Sequence, residues 1–406
     1  MSDEGVSKVE HTIAFFPWVV LRDAVKIGNV HFVPFRDKNE NIPGALSDLT
    51  DVMPVIISSY RDLEGKPLSN CTVACVEGKN PPWELDGNDV EPISRAASFL
   101  ALASLAANDY FCVVGHYSNT TIFQPYFQRF MLPVDQITLT IRRRDGRTLS
   151  GGYKHGEVLL SIPLQCTQCK YAAVDVPFAE SLGNAYLQGS PVIRRLVPAL
   201  SFFNLANTDY ESMQPEAEVI LIGSAFEQLL GTNGAHDLSC KMGELFKAYG
   251  SVSVDGVLAS RPGIDLDAKY QAQQKQWFIH RKWVEELYDL RSKLIHGEST
   301  SKRNWGWTLL EHLIMGAFVF PLAVKLSLAR EGHYNLTEND EALCRAVDVL
   351  LEKTDWKRVI GSNSDATTWR ETIRKVKSDL NKQRIKEKIL RQFGESDPAG
   401  GGEPSV

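Results

Sequence analysis

Arg291 and His296 stand five positions apart in the run Arg291-Ser292-Lys293-Leu294-Ile295-His296-Gly297. Those two residue types suffice for metal-free work on a phosphodiester. Arginine offers a planar fork of donors that binds and neutralises phosphate. Histidine titrates near neutral pH, so its ring can take or give a proton at a reacting oxygen. Apolar spacing predicts one long helix over 269–296, and Gly297 falls where a helix would stop, because glycine accepts left-handed backbone geometry. His296 then lies in the last turn, where the helix dipole favours positive charge. On an ideal helix, positions five apart point about 140° away from each other, so one such pair makes a poor site alone. The plainer account is a surface helix end, with the arginine on a nearby acid and the histidine on the terminal carbonyls.

The neighbours divide in the same way. Ser292 either donates to phosphate or back-bonds within its helix, and the second is the simpler role. Lys293 either adds positive potential or is solvated. His280 and Arg281, about three turns upstream, either extend a basic lining or face solvent, with solvent the simpler expectation. Glu227 follows the apolar run of another helix and is either an exposed acid or a carboxylate that reaches Arg291.

The run Arg291 to Gly297, preceded by Leu287-Tyr288-Asp289-Leu290, resembles the Arg-x4-6-His signature of HEPN domains, in the Apea-like bacterial branch. Ser224-Ala225-Phe226-Glu227-Gln228-Leu229-Leu230 is similar to the glutamate-bearing helix upstream in that family. The likeness spans roughly residues 190–355. It implies an all-α bundle that pairs with a second copy, so that two Arg–His pairs line one cleft. It implies RNA as substrate and no cofactor: the 2′-hydroxyl attacks the adjacent phosphate, leaving a 2′,3′-cyclic phosphate and a 5′-hydroxyl. Arg291 and His296 would be the catalytic pair, with Glu227, Ser292 and Lys293 in support. Chains of this kind resemble abortive-infection or toxin-type effectors, in which an N-terminal domain senses a phage-derived trigger. The alternative, from another class, is a non-catalytic HEPN module that binds RNA or a nucleotide, or serves as a dimerisation scaffold.

Seven cysteines, an odd number scattered through 406 residues, fit reduced thiols better than a disulfide framework. Cys166 and Cys169 form a lone Cys-x-x-Cys, and a zinc site needs two more ligands, for which Cys71, Cys75 and His155 are candidates. A pair of ordinary thiols is the simpler reading. No phosphate loop, dinucleotide fingerprint, HExxH or GxSxG occurs.

At 43% hydrophobic and 23% charged, the composition is that of a globular protein, and 406 residues fit about two domains. A net charge of −6 excludes a broadly basic nucleic-acid-binding surface but not a local patch. The first residues lack the apolar core of a signal peptide, and residues 309–329, the most apolar stretch, carry Glu311, His312, Pro321 and Lys325. The expectation is therefore a cytoplasmic protein without a membrane span.

Short β-type runs over 11–20, 27–35, 53–59, 71–77, 110–116, 136–143 and 157–163 predict a β-rich N-terminal domain, as a sandwich or curved sheet. A helix over 92–107 interrupts them, and Asp145-Gly146 marks a hairpin turn. From about 190 the period becomes helical, over 192–207, 215–230, 237–249, 269–296, 305–330 and 337–352. The predicted class is α+β: a β-rich sensor or recognition domain over 1–185, a helical bundle over 186–360, a basic amphipathic helix over 361–394 and a disordered tail over 395–406. In the basic helix, Trp369, Ile373, Val376 and Leu380 form an apolar seam, and Arg374, Lys377, Arg384 and Lys388 are candidate RNA contacts.

Overall fold

The computed structural model describes residues 10–36, 44–107, 120–163 except 133, 135, 144, 146 and 155, 171–297 except 209 and 211, 305–354 and 363–394. Its N-terminal part holds β1 (Glu10–Phe16), β2 (Val25–Ile27), β3 (Val30–Phe35), α1 (Met53–Ile57), β4 (Tyr60–Arg61), β5 (Cys71–Val76), α2 (Val90–Ala107), β6 (Tyr126–Met131), β7 (Gln136–Arg142), β8 (Thr148–Lys154) and β9 (Leu160–Ser161). The helical part holds α3 (Val176–Leu187), α4 (Pro191–Ala206), α5 (Pro215–Leu230), α6 (Ala235–Phe246), α7 (Val254–Val257), α8 (Gln271–Lys275), α9 (Ile279–Ile295), α10 (Leu309–Arg330), α11 (Glu338–Glu352) and α12 (Asn363–Gly394). A strand-rich first part followed by many helices is an α+β arrangement.

The main sheet has the order β2-β3-β5-β1-β6, antiparallel throughout, with Ala14 opposite both Ala74 and Phe127. Every residue of β5 is buried, so the sheet is covered on both faces rather than alternating between core and water. One cover is α3, which meets the β2–β3 turn at Gly183. A Cβ there would lie 2.1 Å from the Gly28 backbone nitrogen, so only glycine allows the contact, and Gly28 itself turns with φ +64°. β7 and β8 pair as a separate hairpin across the Asp145 turn. Among the described residues there is one large sheet backed by helices and no second layer of a sandwich.

Three expectations need correction. The strand expected over 53–59 is instead helix α1, Met53–Ile57, and a turn: Pro54 occupies its first turn, and the Ile56 N–H donates to Val52 O, a local bond that outweighs the β-branched composition. The helix expected over 269–296 is two helices. Between them, Val254 N–H donates to Trp277 O and Ile279 N–H to Val252 O, so residues 277–279 pair with 252–254 instead of coiling. Helix α3 was not anticipated, although Asp175 caps it by accepting from Phe178 N and Pro177 stands in its first turn. The expected boundary at 185 falls inside this helix. The expected strand over 110–116 lies outside the described residues.

Helix α10 runs through the centre. A capping box of Thr308 and Glu311 starts it. Phe320 stacks on Phe203 at 4.2 Å and meets Phe226 edge-on, while Phe318, on another face, meets Trp369 of α12 edge-on at 5.1 Å. Although α10 is long and apolar enough to cross a membrane, 78% of its apolar window is buried inside the protein, as core helices are. Its one buried cation, Lys325, lies 2.5 Å from both Asp175 Oδ2 and Asp340 Oδ1. Asp340 also accepts from the Tyr334 hydroxyl and from Thr337.

Removing one partner of a buried charge cluster leaves the others uncompensated. Lys325→Met should therefore cost about 3–5 kcal/mol in urea unfolding, and adding Asp340→Asn should recover part of it. A Lys325→Met protein as stable as wild type refutes this account. Burial alone would push the Asp340 carboxyl up, but the Lys325 hydrogen bond and charge and the Thr337 donors outweigh it and hold the group below its ordinary 3.8. Such a group stabilises the fold above its unfolded pKa, and that contribution disappears as pH falls through the lower folded value. Stability measured against pH below about 4 should fall less steeply in Asp340→Asn than in wild type.

Candidate functional site

Helix α9 buries Ile279, Trp283, Val284, Leu287 and Leu290, a stripe at three- and four-residue spacing, and turns Arg291 towards α5. Two residues of α5 receive it. Gly223 lies under the arginine stem: a Cβ there would sit 3.1 Å from Arg291 Cβ and Cγ, so glycine lets the two helices close. Glu227, one turn further along the same face, places Oε2 2.9 Å from Arg291 Nη2. Both side chains are only about one-fifth exposed, at 20% and 19%. Tyr288, one turn back on α9, holds its ring 5.3 Å from the guanidinium carbon. The Arg291 Nε is buried and has no hydrogen-bond partner.

His296 caps the helix with φ −84° and is exposed, and its N–H donates to Ser292 O at 3.1 Å. Gly297 follows with φ +68°, so glycine takes the left-handed step just beyond the cap. Ser292 and Lys293 are half-buried, and the Lys293 ammonium lies 5.3 Å from the Trp305 ring centre. Arg291 is thus drawn inward to α5 while His296 stays in solvent, so a single chain does not converge them on one atom. Before α10, buried Glu286 of α9 accepts from Gly306 N and Trp307 N at 3.0 and 2.9 Å, and buried Arg261 donates to Gly306 O and Glu311, each at 2.8 Å.

His280 does not face solvent. It is 1% exposed, and its Nδ1 lies 2.7 Å from Asp348 Oδ1, tying α9 to α11. Arg281 is half-buried, its guanidinium 3.6 Å from the Trp277 ring centre and its Nη2 donating to Cys240 Sγ. Both are packing residues, explained by the break before α9, which turns its first residues onto the core. On α12, Trp369 is buried and Ile373, Val376 and Leu380 are half-buried. Arg384 is committed to Glu338 and Glu341 of α11, at 2.8 and 2.6 Å, whereas Arg374 and Lys388 are exposed and Lys377 half-buried.

Cys166, Cys169 and His155 lie outside the described residues. Cys71 and Cys75 are buried in β5, and burial pushes both thiols up, Cys75 to about 12, which disfavours the thiolate that binds metal. Among the described residues, no three His, Cys, Asp or Glu side chains gather closely enough to hold a metal ion.

Sequence reasoning missed Gly223. Its signal was a glycine inside an otherwise apolar helix, where it costs ~1 kcal/mol against alanine unless another backbone or side chain comes close. Gly223→Val should destabilise the fold by about 1–3 kcal/mol through overpacking and part Arg291 from Glu227. Glu227→Gln should then cost less stability in that background than in wild type; equal costs would place the pair outside Gly223's influence.

No family model matches this chain, and no match is found among curated proteins or solved structures.

Proposed function

We propose that the chain is a metal-independent endoribonuclease of the HEPN type. The observation that carries the reading is the Arg291–Glu227 pair at 2.9 Å, set at the end of α9 beside an exposed His296. Glu227 fixes one edge of the guanidinium and so sets the direction in which Arg291 meets a phosphate oxygen. His296 takes the proton from the RNA 2′-hydroxyl or returns one to the leaving 5′-oxygen, and Arg291 stabilises the charge gathered on phosphorus. The 2′-oxygen–phosphorus bond forms as the bond to the 5′-oxygen breaks, which gives a 2′,3′-cyclic phosphate and a 5′-hydroxyl. Ser292 and Lys293 support phosphate binding.

Because Arg291 and His296 diverge on one helix, the working unit in this reading is a homodimer whose two copies complete a shared cleft. Ile295, an apolar residue 49% exposed next to His296, and Leu310, 38% exposed at the start of α10, favour a surface that another chain covers. The sheet-bearing N-terminal part is the sensor of a phage-derived trigger, and the whole is a cytoplasmic defence or toxin-type effector. That last step is analogy to chains of similar layout. A second reading, a non-catalytic module that binds RNA or a nucleotide or serves as a dimerisation scaffold, draws on the same neutralised arginine: a guanidinium already paired with a carboxylate has less charge to give a transition state.

Wild type, Arg291→Ala and His296→Ala are to be induced in bacteria with and without phage challenge, following growth and RNA integrity. RNA breakage with 2′,3′-cyclic phosphate ends should fall at least about a hundredfold in both variants at equal soluble levels, the usual scale for a lost acid–base group. Equal behaviour of all three proteins moves the assignment to the second reading.

A further inference from the structure

Helix α10 presents Phe318, Pro321, Leu322 and Lys325, spaced three and four apart, to a cavity of about 530 Å³ roofed by α12. This is a different face of α10 from the one that packs on α5, since Gly316 rests against Ile222 of that helix. The cavity is therefore separated by α10 from α5, the helix that receives Arg291. Its volume lies within the ~300–1,000 Å³ typical of small-molecule sites and far exceeds the need of a simple anion.

Its lining has two characters. The floor is apolar, with Phe318, Pro321, Leu322, Leu343 and Ile373. The rim on the α12 side is cationic: Arg370, Arg374 and Lys377 line it, while the buried Lys325 beneath them is offset by its two aspartates. Lys325 spends its charge on Asp175 and Asp340. Arg374 and Lys377, one turn apart on α12, have no ion-pair or hydrogen-bond partner among the described residues. Arg384, further along α12, is instead paired with Glu338 and Glu341. Asn339, exposed at the start of α11 and also without a partner among the described residues, brings an amide with both donor and acceptor to the same rim.

We propose that this cavity binds a nucleoside phosphate. The two unpaired cations take the phosphate oxygens, the apolar floor takes the flat face of the base, and Asn339 reads a polar edge of base or sugar. A fatty acid would leave Asn339 unused, and inorganic phosphate would leave the floor empty. The inference does not depend on the ribonuclease reading, because it does not involve Arg291 or His296 and is tested by binding alone.

The test is calorimetric titration of the full-length protein with the mono- and diphosphates of adenosine, guanosine, cytidine and uridine, with adenosine and inorganic pyrophosphate as controls. At least one nucleotide should bind saturably, one per chain, and at least tenfold more tightly than either control. The double variant Arg374→Ala/Lys377→Ala should weaken it at least tenfold with an unchanged melting temperature, and Asn339→Ala should change the preference among bases. Binding of none of the eight overturns the proposal. Binding indifferent to the double variant, or matched by pyrophosphate, overturns it too. Leu343→Trp, which fills the floor, provides a second check: a folded variant that still binds with wild-type affinity places the nucleotide elsewhere.

Discussion

Lys325 carries a charge where water does not reach it, and two aspartates must therefore be brought to it. They come from opposite directions in the chain. Asp175 is the cap of α3, the helix that lies on the sheet through Gly183, and Asp340 belongs to the first turn of α11 in the helical part. One ammonium thus fixes how the strand-bearing and helical halves meet. Apolar packing around α10 could be satisfied by several small shifts of its neighbours; two carboxylates each 2.5 Å from one nitrogen could not. Buried charge clusters add little net stability over an apolar equivalent, but they penalise any arrangement that breaks them.

With α10 fixed, the helices beside it inherit their positions. Ile222 of α5 lies on Gly316, which sets the depth of α5. Gly223, the next residue, then admits the stem of Arg291, and Glu227 receives its head. Two glycines on two helices thus decide where a guanidinium stands. His296 depends on something else, the end of α9 and the left-handed step at Gly297.

The sequence was legible where a periodic pattern coincided with local chemistry. Residues 215–230 begin with a proline and end at Gly231 in left-handed geometry, and their helix has those bounds. The Arg291 run was readable because helix, cap and residue types coincide within seven positions. What was not legible came from partners distant in the chain. Nothing near 277 announces that Trp277 pairs with Val254 across the chain, so two helices read as one. His280 looked solvated because Asp348, its partner, lies 68 positions away. The β-branched run at 53–57 reads as a strand until Pro54 is weighed as a helix starter. The proposed HEPN reading rests on the Arg291 run and the Glu227 helix upstream of it.

Helix α12 is held by contacts of two physical kinds. Near its start, Trp369 is buried against Phe318; further along, Arg384 reaches Glu338 and Glu341 across partly exposed surface. Dissolved salt treats these differently. At physiological ionic strength the screening length is about 8 Å, and exposed ion pairs weaken as it shortens, while apolar burial does not. The helix that roofs the cavity thus has one kind of fastening indifferent to the ions around it and one that slackens as they accumulate, so the medium itself helps set how firmly that roof is held.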